Sequence, residues 1–120
     1  MSKTWSNMTA ADLGREIGAG RINPVELTEV FLEKIAVHEV STRIYARVTP
    51  ARARGEAMAA AARAKSGQRH GLLDGVPVSW KDLFDSAGTA TEAGSALLRN
   101  RTPTQDAAVL QTATREGLVC

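Results

Sequence analysis

The stretch Gly75-Val76-Pro77-Val78-Ser79-Trp80-Lys81-Asp82-Leu83-Phe84-Asp85-Ser86-Ala87-Gly88 decides how the chain is read. Val76 to Trp80 is apolar and extended. Pro77 has no N–H to give a ladder, so the run is not an undisturbed central strand. A lysine set directly after an apolar strand has its stem among the strand's neighbours, and desolvation disfavours its charged form. A neutral lysine is a competent general base. The competing structural reading leaves the Lys81 ammonium in water at a strand end, and spacing by itself favours that one. Ser79 and Lys81 are two apart on an extended segment and share a face. A Ser79–Lys81 dyad, with the amine taking the hydroxyl proton, is the nucleophilic alternative.

Upstream of this stretch the sequence predicts helices. Thr9 caps one that closes at Gly20, with Asp12 in its first turn and Leu13 and Ile17 on one face. Asn23 caps the next, Pro24 takes the first helical position, and Leu27, Val30, Phe31 and Ile35 recur at helical spacing to about His38. Ile44 to Val48 alternates and predicts a short strand. Thr49-Pro50 opens a helix to Ser66-Gly67 with a stripe of Ala53, Ala57, Ala60, Ala61 and Ala64, small enough for a neighbour to lie close.

Downstream, the chain is Gly- and Thr-rich through Ser95, and Ala96-Leu97-Leu98 predicts a helical turn. Thr104 caps a last helix with Asp106 in its first turn, Val109 and Ala113 on one face, and Gly117 at its end. Leu118-Val119-Cys120 opens another strand. A finished domain rarely stops on an apolar tripeptide, so the expectation is one partial domain over 1–120. It comprises N-terminal helices over 9–66, then the lysine-bearing strand and following helix over 72–120.

Composition sets several function classes aside. The chain has 120 residues, is 43% apolar and 23% charged, and carries a formal charge of +2. That surplus is too small to argue for nucleic acid or an acidic membrane. Aromatic residues make up 4%, so the core must come from Leu, Val, Ile and many Ala, which bury little area each. Cys120 is the one cysteine, which excludes an intrachain disulfide and a cysteine metal cluster; it reads as a buried inert thiol. His38 and His70 are far apart without ligand spacing, so neither a metal nor another cofactor is expected. No apolar run reaches the ~18 residues of a membrane span, and Met1 to Asn7 has no apolar signal region. A cytoplasmic protein is expected.

With these elements placed, the central stretch resembles the amidase signature family: Gly, a hydrophobic residue, Pro, a short strand, then Lys-Asp. Thr91-Glu92-Ala93-Gly94-Ser95 resembles that family's Thr-Thr-x-Gly-Ser segment, with Glu92 in place of the second Thr. Thr104-Gln105-Asp106-Ala107 through Arg115-Glu116-Gly117-Leu118-Val119 resembles its Asp-Ala helix and the strand after it, and Ala19 to Leu27 its N-terminal helices. The resemblance runs from about Trp5 to Cys120. It implies an α/β fold, a mixed sheet flanked by helices, of which this chain is the incomplete N-terminal part. It implies a Ser-cisSer-Lys hydrolase that cleaves carboxamide C–N bonds through an acyl-serine, with Lys81 as general base and a small-molecule amide as substrate. Asp82 matches the family and orients Lys81 or caps the following turn; Ser95 matches the motif serine and reads as a turn or cap hydroxyl. The family's two active-site serines and the backbone donors of its oxyanion hole lie beyond the position matching Cys120, so the isolated chain is expected to be inactive. Leu83-Phe84-Asp85 resembles the general amidase branch. The A subunit of glutamyl-tRNA amidotransferases more often has Asn after Lys-Asp and is the second reading. Trp80 stands where the family commonly has a small aliphatic residue, and reads as core packing or as a wall narrowing the pocket.

Two readings from other classes compete. Arg43, Arg47, Arg52, Arg54, Arg63 and Arg69 cluster in mid-chain and would suit a basic binding module, although no aromatic alternation accompanies them. An incomplete sheet would leave apolar edges through which the chain associates with itself or a partner.

Overall fold

The computed structural model describes residues 2–120. Six helices follow in order along them: α1 Ser2–Trp5, α2 Ala10–Gly18, α3 Pro24–Val37, α4 Ser41–Ile44, α5 Pro50–Ser66 and α6 Ala108–Arg115, with a 3₁₀ turn at Ala96–Leu98. The caps explain where α2 and α3 begin. Thr9 accepts from the Asp12 N–H, and Asn23 accepts from the Val25 N–H ahead of Pro24, each worth about 1 kcal/mol. Gly67 ends α5 in the left-handed conformation that a Cβ would oppose.

One core lies between α2, α3 and the extended stretch. Leu13, Ile17, Ile22, Leu27 and Val76 are buried together, with Trp5, Met8, Phe31, Ala64 and Leu73 packed around them. Burying a side chain such as Leu27 contributes about 1.5–3 kcal/mol. The alanine stripe works as the spacing predicts: Ala53, Ala57 and Ala60 are buried, and α5 packs along α3. Ala53 and Ala57 meet Val119, with Val25 beside them.

The sheet is reduced to its seed. Pro77 and Val119 form a parallel bridge, in which the Val119 N–H donates to Val76 O at 3.0 Å and the Val78 N–H donates to Val119 O at 2.8 Å. Pro77 is tolerated because this bridge uses the groups on either side of it and never its own nitrogen. The mixed sheet expected from the family resemblance is therefore not present among the described residues, where the other pairing is a single antiparallel bridge, Ser86 with Thr89.

Three local expectations are corrected. Residues 44–48 are no strand: Ile44 ends α4, and Ile44 and Val48 are exposed with no ladder partner among the described residues. The alternation there faces solvent rather than a second strand. The last helix starts at Ala108, not at Thr104, because the Asp106 carboxylate is engaged by Arg52 and the Ala87 N–H instead of the helix start. Its inward residue is Leu110, 2% exposed, while Val109 is half exposed.

Two ionic joints hold the loops to α5. The buried Asp74 carboxylate accepts a fork from Arg63 at 2.7 and 2.8 Å and the His70 N–H at 2.8 Å. Burial pushes Asp74 up, but these donors outweigh it and hold its carboxyl below the usual range. Gly117, at φ +86°, passes so close that an added Cβ would stand 2.5 Å from the Asp74 carboxylate. The second joint is Arg52, all five of whose N–H donors are engaged. They reach Glu56, Asp106 (twice), Ser86 and Thr114. The far oxygen of Glu56 accepts the Cys120 N–H at 2.7 Å. Burial works against the Arg52 charge, yet the hydrogen bonds of Asp106 and Glu56 outweigh it and raise its pKa above the ordinary value.

Candidate active site

The extended stretch ends on one wall of an open cavity of about 700 Å³. Its apolar side is built by Phe31, Leu32 and Ile35 of α3 with Val78, Trp80 and Val119; its polar side by Arg43, Tyr45, Arg47, Ser79, Lys81 and Asp82. Phe31 and Ile35, which share the helical spacing of α3, are half-buried and line this space, and Phe31 also packs on the core. Trp80 is likewise a half-buried wall of the cavity rather than a core residue.

Lys81 stands at this wall with its side chain exposed. The desolvation of its stem expected from the sequence is not supplied by the described residues. Among those residues its Nζ has no hydrogen-bond or ion-pair partner. Ser79 lines the same cavity but does not bond Lys81; its hydroxyl pairs with that of Tyr45 at 3.1 Å. The Ser79–Lys81 dyad is thus not assembled.

Asp82 neither touches Lys81 nor stays free. Its Oδ1 accepts from Arg47 Nη1 and from the Glu92 N–H, both at 3.2 Å. Arg47 reaches Glu92 as well, at 2.6 Å. The other Glu92 oxygen accepts the Asn100 N–H; this bond, helped by the nearby Arg47 charge, outweighs the opposing effect of desolvation and holds the Glu92 pKa below the ordinary value. Glu92, where the resembling motif has Thr, thereby ties the 91–95 loop to the lysine-bearing turn. Ser95 lies outside the cavity wall: its backbone forms the turn with Glu92 O and Leu98 N, and its hydroxyl caps nothing.

The remaining candidates fall elsewhere. Cys120 is buried, and burial pushes its thiol up, which suits an inert group. His70 Nδ1 lies 2.9 Å from Arg115 O, and His38 Nδ1 accepts the Val40 N–H. Among the described residues no three His, Cys, Asp or Glu side chains group to hold a metal, and no helix is long and apolar enough to cross a membrane. Five of the six arginines in the basic cluster are engaged within the fold, and Arg43 is exposed. Arg47, Arg52, Arg54 and Arg63 each pair with a carboxylate, and Arg69 donates to the Leu72 and Asp74 carbonyls.

With the lysine, its Asp neighbour and the cavity in place, comparison with known proteins gives the context. The Amidase family model matches residues 26–120. The chain belongs to the amidase family. The A subunit of glutamyl-tRNA(Gln) amidotransferase from Anaeromyxobacter dehalogenans is 41% identical over 109 residues, covering 88% of this chain and 22% of that protein. The protein of the same name from Marinobacter nauticus is 34% identical, covering 95% and 23%. A solved structure from the work described as "An unexpected vestigial protein complex reveals the evolutionary origins of an s-triazine catabolic enzyme" superposes with a TM-score of 0.87. It is 30% identical and covers 93% of this chain and 25% of that one. The amidase chain described here thus spans about a quarter of the length of the relatives it matches. Leu83 after Lys81-Asp82 pointed toward the general amidase branch, whereas these curated relatives belong to amidotransferases.

Sequence reading singled out Lys81 and Asp82, both of which line the cavity, but set Arg47 in a basic cluster and gave Tyr45 and the pairing of Glu92 no place in the site. Arg47 and Asp82 are 35 residues apart, and no periodicity links them. The departure at Glu92 was the one local sign that this loop makes an ionic contact.

Proposed function

We propose that these residues form the lysine-bearing part of an amidase-type hydrolase that cleaves carboxamide C–N bonds through an acyl-serine, with Lys81 as general base. The observation that carries the reading is the unpartnered Lys81 amine on the wall of a cavity, at the end of a stretch anchored by the Pro77–Val119 bridge. A general base must keep its lone pair available to the proton it takes. In this reading the nucleophilic serine, the oxyanion donors and the rest of the mixed sheet belong to the three quarters of the relatives' length that these 120 residues do not match.

The curated relatives support a second, narrower reading, the A subunit of a glutamyl-tRNA amidotransferase-like enzyme that works with partner subunits. The basic-module reading has less support, because four of its six arginines are already paired with carboxylates.

A chimera tests the proposal: this chain replaces the matching segment of the Anaeromyxobacter dehalogenans relative, and ammonia release is measured from glutamine and from simple carboxamides. The chimera is expected to turn over an amide, and Lys81→Met to lower kcat by about 10²–10⁴-fold. Glutamine preference would favour the amidotransferase reading. A Lys81→Met chimera within tenfold of its parent would remove Lys81 from the chemistry. Turnover by the 120-residue chain alone, lost in Lys81→Ala, would show that the serines are not missing.

A further inference from the structure

Lys81 is followed directly by a carboxylate, Asp82, and a second carboxylate, Glu92, lies behind it. A lysine's flexible four-carbon stem easily folds its ammonium onto such neighbours, yet the Lys81 amine is unpartnered among the described residues. Both acids are already ion-paired, Asp82 through its Oδ1 alone. Arg47 stands between them, with Nη1 at 3.2 Å from Asp82 Oδ1 and Nη2 at 2.6 Å from Glu92 Oε1. The Glu92 N–H takes the same Asp82 oxygen, and the Asn100 N–H takes the other Glu92 oxygen. Arg47 is itself only 29% exposed, held in the cavity wall.

We propose that Arg47 is a positioning residue that keeps Asp82 and Glu92 as its own counterions and so leaves the Lys81 amine unpaired and facing the cavity. A planar guanidinium suits this task because it presents separate N–H pairs to two acids at once, which an ammonium does not. Without it, two carboxylates would share a corner in which Lys81 is the adjacent cation, and an ion pair would favour the protonated amine. The charged and titratable groups around the same cavity are Arg43, Tyr45, Asp82 and Cys120, with Glu92 behind Arg47. Arg43 reaches neither acid. The benefit to catalysis rests on the reading of Lys81 as general base; the ionic arrangement does not.

Trace acetylation of the folded 120-residue chain across pH 6–11, read lysine by lysine by peptide mass spectrometry with Lys65 as internal reference, tests it. Arg47→Met is expected to cut Lys81 labelling at pH 8 about three- to tenfold relative to Lys65. Adding Asp82→Asn to Arg47→Met is expected to recover most of that loss. An Arg47→Met profile that superimposes on the parent's overturns the proposal. A second arm does not depend on the folding of Arg47→Met. Asp82→Asn alone is expected to change Lys81 labelling less than twofold, because Arg47 already occupies Asp82; a larger rise overturns the proposal too. Acetylation reads the amine whether or not Lys81 is the base, whereas the base reading fails on the chimera's Lys81→Met kinetics.

Discussion

Arg63→Met should be among the most damaging single changes outside the apolar core, and the magnitude follows from an asymmetry in burial. The Asp74 side chain is fully buried, whereas Arg63 keeps 23% of its own exposed. Removing Arg63 strands a carboxylate with the His70 N–H as its remaining donor among the described residues, and breaking a buried pair in this way costs about 3–5 kcal/mol. With an unfolding entropy of about 2.1 cal/mol/K per residue, that lowers the melting temperature by about 12–20 °C. Asp74→Asn is the milder change, about 1–2 kcal/mol, because the charge it leaves behind can turn to water. The double variant should lie above Arg63→Met. Urea unfolding at 10 °C, followed by Trp fluorescence, measures all three.

The pH dependence has the same origin. In the parent the folded Asp74 carboxyl is held below its unfolded value of about 3.9. Its stabilising contribution is therefore present above that value and is lost as pH falls through the folded one. In Arg63→Met the stranded carboxylate is raised instead, so its penalty is present at neutral pH and disappears on acidification. The gap between parent and variant should narrow from pH 7 to pH 3. An Arg63→Met cost below about 1 kcal/mol, or an Asp74→Asn cost exceeding it, would contradict this account of the pair.

Other outcomes follow from close approach and burial. Gly14→Ala would drive a Cβ into the Leu72 carbonyl oxygen, so α2 must lift off the loop; we expect several kcal/mol and a loss of the cooperative transition in the same urea experiment. Cys120 should resist iodoacetamide at pH 8 in the folded chain and react at least about a hundredfold faster in 8 M urea, because burial raises its thiol. Equal rates would show that the thiol is accessible.

The elements legible from residue order are those whose signals are local. Asn23-Pro24 and Thr9 mark helix starts through side-chain and backbone groups two or three residues apart, and the structure keeps both. The alanine stripe reads as a contact face because helical spacing alone puts Ala53, Ala57 and Ala60 on one side. Residues 44–48 misled because alternation describes a strand only where another strand completes it. Asp106 misled for a related reason: an acid near a helix start belongs there unless a distant arginine takes it, and Arg52 does.

The family pattern around Lys81-Asp82 and the helices that precede it were readable without coordinates, since a motif and a helix cap are written in adjacent residues. What surrounds the lysine was not. Arg47, Asp82 and Glu92 come from three separate segments, and their pairing depends on how the connection between α4 and α5, the turn after Lys81 and the 91–95 loop are brought together. Coulombic partners are chosen by distance in space, and sequence separation carries no information about it.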